Sequence, residues 1–77
     1  MDKIFDMVES LSEQRKSRLR SMIVSTYGIL GGRCRLVNTR LSVDDIVRLY
    51  LNDEFDDYPY LNKEECFNAA ILHIYEN

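Results

Sequence analysis

Apolar residues recur along this chain at three- and four-residue steps in four stretches, the spacing that gathers side chains on one side of an α-helix. Ile4, Phe5, Val8 and Leu11 make the first, a short helix that bends away at residues 10–12. Leu19, Met22, Ile23, Thr26, Tyr27 and Leu30 make the second, and Gly31-Gly32 follows it as a natural terminator. This predicts a long central helix over residues 12–30. Val43, Ile46, Val47 and Tyr50 predict a third helix over about residues 43–52. Cys66, Phe67, Ala70, Ile71 and Ile74 predict a fourth over about residues 63–75. The expected fold is therefore all-α, a compact array of three to four helices with residues 12–30 as the spine.

The second stretch also reads another way. Ile23-Val24-Ser25-Thr26-Tyr27 is rich in strand formers, and Gly31-Gly32 can turn the chain back into Arg33-Cys34-Arg35-Leu36-Val37. That alternative is α+β with a hairpin around the two glycines. The helix is preferred because strand alternation would separate polar from apolar side chains less well.

Three phrases have the logic of a helix start: Leu11-Ser12-Glu13, Leu41-Ser42-Val43-Asp44-Asp45 and Leu61-Asn62-Lys63-Glu64-Glu65. Ser12, Ser42 and Asn62 are N-cap acceptors, and the carboxylates after them suit the positive end of the helix dipole. Leu41 with Ile46, and Leu61 with Cys66, have the spacing of a hydrophobic staple. Glu65 stands three residues after Asn62, where a capping box would place it, which makes the third start the best formed.

At 77 residues the chain is one domain with a thin core, so that net stability of roughly 3 to 5 kcal/mol is expected, with more to gain from a partner or a second copy. Two cysteines far apart, Cys34 and Cys66, and no apolar targeting segment point to a reduced, cytoplasmic protein. These cysteines and the lone His73 have no zinc-ligand spacing, and no metal or other cofactor is expected.

Charge changes this picture more. Residues 1–40 hold eight basic and four acidic side chains, and residues 41–77 hold two and nine. Opposite halves either pack against each other or face different partners. The basic set is Arg15, Lys16, Arg18, Arg20, Arg33, Arg35 and Arg40, without interleaved aromatics and without one flat face on the expected helix. The acidic set centres on NDEFDDYPYLNKEE, residues 52–65. It lacks the glycine and ligand spacing of a calcium loop. Two readings stand level: a solvated loop, or a surface in which Asp53, Glu54, Asp56 and Asp57 meet a basic partner and Phe55, Tyr58 and Tyr60 anchor it. Ser17, Ser21 and Ser25, with Val24 and Gly28 near, would form a small-residue face open to a second helix, in the same chain or in a homodimer.

No nucleophile turn, phosphate loop or buried carboxylate pair is spelled, so an enzyme is not expected. The functional expectation is a small protein-interaction module (regulator, adaptor or inhibitor) using the acidic, aromatic surface, which could imitate nucleic-acid phosphates. The alternative is a helical nucleic-acid binder using the basic set.

Overall fold

The computed structural model describes residues 2–25 and 30–77, with the side chains of residues 6–25 and 31–77. The chain is mostly helical with one small antiparallel sheet. In order it forms α1 (Asp2–Glu9), α2 (Glu13–Arg20), β1 (Ile23–Val24), β2 (Arg35–Leu36), α3 (Val43–Leu51) and α4 (Lys63–Glu76). Short 3-10 turns lie at Leu30–Gly32 and Phe55–Asp57.

The long helix expected over residues 12–30 ends at Arg20. Beyond the turn at Ser21 the chain is extended, and Ile23 pairs with Leu36 and Val24 with Arg35, as the hairpin alternative requires. The Val37 N–H also donates to the Met22 carbonyl at 2.7 Å. β-branched Ile23 and Val24 lose side-chain freedom in a helix. In the ribbon both gain a backbone partner and lie half-buried, Ile23 against the cluster that holds Leu36, so tertiary pairing overrides the helical period. Gly31 and Gly32 adopt φ of 64° and 82°, the left-handed backbone that glycine reaches without a Cβ clash. Thr26, Tyr27 and Gly28 lie outside the described residues, as do the side chains of Ile4, Phe5 and Leu30.

After β2 the chain folds back on itself. Asn38 takes φ 63°, Leu36 N–H donates to the Leu41 carbonyl at 2.9 Å, and Val43 N–H donates to the Cys34 carbonyl at 3.3 Å. This short loop carries Ser42 beside Arg35 and delivers it as the N-cap of α3.

All three helix starts form as expected, with Ser12, Ser42 and Asn62 accepting from the N–H of Arg15, Asp45 and Glu65. The capping box is at Ser42, where the Asp45 carboxylate accepts from Ser42 N–H at 3.1 Å. It is not at Asn62: the Glu65 carboxylate is held instead by Arg15 and Arg18, brought from α2.

The spine is α4. Cys66 and Ala70 join Leu36, Val43, Ile46, Leu49 and Phe55 in one apolar cluster. Phe67, Ala69, Ile71 and Leu72 join Val8 and Leu19 in a second. A helix apolar around most of its circumference belongs in the middle of a core. Tyr50 stacks on Phe67 with ring centroids 4.0 Å apart and joins the two clusters. Ile74, expected inward, is 42 % exposed.

Candidate functional site

The acidic connection between α3 and α4 is an ordered structure built on the end of α3. Glu54 N–H reaches back to the Leu49 carbonyl at 2.8 Å and Asp53 N–H to the Tyr50 carbonyl at 3.2 Å. That pair of bonds is the Schellman closure of a helix. It requires a left-handed residue at Asp53, which has φ 54°. The chain then turns through Phe55–Asp57, with Tyr58 N–H donating to the Phe55 carbonyl at 2.8 Å.

This geometry separates the seven residues expected to meet a partner. Asp53, Glu54, Asp56 and Asp57 are exposed. Phe55 is 5 % exposed and belongs to the α3–α4 cluster, so it is corrected from surface anchor to core residue. The 3-10 turn aims its ring inward, where burial of an aromatic ring is worth several CH₂ groups of apolar area. Tyr58 is half-buried against the same cluster, and Tyr60 is 74 % exposed. The three rings form a ladder from core to solvent: Phe55 to Tyr58 at 6.5 Å and Tyr58 to Tyr60 at 6.3 Å, both edge to face. Tyr60 is thus an exposed ring braced from below. Leu51, at the end of α3, is 68 % exposed.

Most other carboxylates are used within the molecule. Glu65 pairs with Arg15 and with Arg18 at 3.1 Å. Glu76 pairs with Arg20 at 2.6 Å, and this hydrogen bond holds its carboxyl below the ordinary range and the guanidinium above its own. Asp45 pairs with Arg48 at 3.2 Å. Glu64 and Glu9 each accept a hydrogen bond from a tyrosine, Tyr50 and Tyr75, at 2.8 Å, which raises both phenol pKa values. At the acidic connection Asp53 alone has a cation near among the described residues, Lys63 at 3.8 Å. Glu54, Asp56 and Asp57 take no ion pair among the described residues.

The basic set is dispersed by the same pairing. Arg15, Arg18 and Arg20 face acids of α4, while Lys16 lies 3.7 Å from Glu13. Arg35 is 8 % exposed and donates to the carbonyls of Leu36 and Thr39 at 3.4 and 3.0 Å. Arg33 and Arg40 are exposed on the segments flanking β2. The basic first half and acidic second half therefore pack against each other through α2 and α4.

The small-residue face does not form. Ser17 lies on α2 and Ser21 is its C-cap, donating to the Arg18 carbonyl at 2.6 Å. Val24 is in β1, and the Ser25 hydroxyl donates to the Gly32 carbonyl. The face required a helix continuing beyond Arg20, and Gly28 lies outside the described residues.

Sequence spacing gave no sign that Cys34 and His73 would share a cleft. They line one open cleft of about 490 Å³, together with Arg33, Ser42, Asp44 and Ile74. The fold-back after β2 brings the α3 start to the end of α4 and creates it. Among the described residues no three His, Cys, Asp or Glu side chains form a metal-binding group, and no helix is long and apolar enough to cross a membrane. Comparison with protein-family models, curated proteins and solved structures found no significant match.

Proposed function

We propose that this protein is a small protein-interaction module that docks on a basic surface of a partner, acting as a regulator, adaptor or inhibitor. Its contact surface is Tyr60 with Asp53, Glu54, Asp56 and Asp57, and Tyr58 supports the Tyr60 ring from behind. One observation carries the reading: the acids elsewhere on α3 and α4 are largely paired internally, whereas Glu54, Asp56 and Asp57 are exposed without a cation among the described residues, beside an exposed ring that meets Tyr58 edge to face, itself against Phe55. An exposed tyrosine whose position is already fixed loses little freedom on binding and suits an interface anchor. Unneutralised carboxylates around it speed encounter with a basic partner and select for it. A row of such carboxylates can stand in for nucleic-acid phosphates, so a nucleic-acid-binding protein is a specific form of that partner.

The test is affinity capture from native cell extract, with the wild-type chain against Asp56→Lys with Asp57→Lys and, separately, Tyr60→Ala. Loss of one eluted protein with the charge reversal, and affinity lower by roughly thirtyfold for Tyr60→Ala, is expected. Equal capture by all three proteins overturns the reading. So does direct binding of DNA or RNA that falls steeply with salt and disappears in Arg18→Ala with Arg20→Ala.

A further inference from the structure

The two N-terminal helices are attached to the molecule differently from the hairpin and α3. Among the described side chains, their apolar hold on α4 is Val8 and Leu19, both fully buried, with half-buried Leu11 at the bend between them. These cover Phe67, Ala69, Ile71 and Leu72. Leu19 is the one buried residue of α2, whose full sequence is EQRKSRLR. The described polar contacts are a hydrogen bond from Tyr75 to Glu9 of α1 at 2.8 Å and ion pairs at both ends of α4: Arg15 and Arg18 on Glu65, and Arg20 on Glu76 at 2.6 to 3.1 Å. Backbone bonding stops short as well. The described backbone-to-backbone hydrogen bonds of residues 2–20 close within that segment or at the turn to Met22, and the ribbon begins only beyond it. α3, by contrast, is anchored by buried Val43, Ile46 and Leu49, with Leu36 and Phe55 packed in the same cluster.

We propose that α1 and α2 form a hinged cover over one apolar side of α4, latched by the pairs at Glu65 and Glu76 and pivoting at Ser21–Met22. Raising the ionic strength from 0.1 M to 1 M shortens the screening length from about 10 Å to about 3 Å, which weakens partly exposed ion pairs and leaves buried apolar contacts in place. Opening of a protein is not uniform, and α2, with Leu19 as its one buried side chain and ion pairs for much of its hold, is the kind of segment that opens before the rest. Salt therefore loosens the cover and uncovers the side of Phe67, Ala69, Ile71 and Leu72 on which Val8, Leu11 and Leu19 lie, while the hairpin, α3 and their side of α4, including the stack of Tyr50 on Phe67, stay folded. This device does not depend on the acidic surface.

Native-state hydrogen exchange on the full chain, followed by NMR at low and at molar sodium chloride, tests it. The amides of α1 and α2 should exchange roughly tenfold faster at high salt, with those of Leu36, Ile46 and Leu49 unchanged. Glu65→Gln with Glu76→Gln should show the fast exchange already at low salt and lose the salt response. The swap Arg20→Glu with Glu76→Arg should restore protection relative to Arg20→Glu alone. Equal exchange of α1 and α2 at both salts overturns the proposal, as does acceleration in step with α3. If the double glutamine variant does not fold, the wild-type comparison decides alone.

Discussion

Asp53 shows how one backbone angle constrains a residue. The Schellman closure places it at φ 54°, which a side chain with a Cβ adopts at some cost and glycine at almost none. Asp53→Gly should therefore raise stability by about 0.5 to 1 kcal/mol in urea unfolding, since Lys63 at 3.8 Å is an exposed and weak partner. Gly31→Ala should do the opposite: no atom lies near its absent Cβ, so the loss of about 1 kcal/mol would be purely conformational. Cys66 makes a different point. It is 2 % exposed, and burial, followed by the nearby Glu65 carboxylate, pushes its thiol pKa up. Alkylation with iodoacetamide should modify half-buried Cys34 first and reach Cys66 only as the molecule opens, which peptide mass mapping over time would record.

Among the elements, the capping groups of α3 carry more than those of the other helices. Ser42 accepts from Asp45 N–H, receives the Asp45 carboxylate on its own N–H and sits 6 % exposed beside Arg35. Ser42→Ala should cost about 1 to 2 kcal/mol and Asn62→Ala about half of that, measured as shifts in denaturant midpoint. These starts were legible because a cap is a property of four or five consecutive residues. What the sequence obscured was set at a distance. Ile23 and Val24 fit a helical period locally, and only their partners Leu36 and Arg35, beyond a turn, decide for the ribbon. Glu65 had the right spacing for a capping box, but arginines from another helix hold its carboxylate. Phe55 stood among acids and read as surface, since nothing in DEFDD reveals that a 3-10 turn points one ring into the core. The carboxylates beside it were visible from composition alone, whereas the sequence left open whether Tyr60 faces solvent or core, and the structure places it 74 % exposed.

For the whole molecule, the halves of opposite charge meet mainly between α2 and α4. The Glu76 carboxyl is held below its ordinary value of 4.5 by Arg20. Its share of stability is thus present above that value and is lost as pH falls through the lowered one. Because the pair is largely exposed, that share is small and declines further with salt. Glu76→Gln should flatten the acid limb of a stability profile slightly and leave the neutral and alkaline region parallel to wild type, as read from unfolding midpoints across pH.

The position of α4 between two apolar clusters also sets how freely its sequence can drift. Substitutions at Cys66, Phe67, Ala69, Ala70, Ile71 and Leu72 must satisfy neighbours on more than one side of the helix, whereas α2 commits only Leu19 to the interior. In a library randomised one segment at a time and selected for folding, residues 66–72 should tolerate the fewest replacements and residues 13–18 many. Descendants of this chain would then remain recognisable by the interior of one helix long after the charges around it had changed.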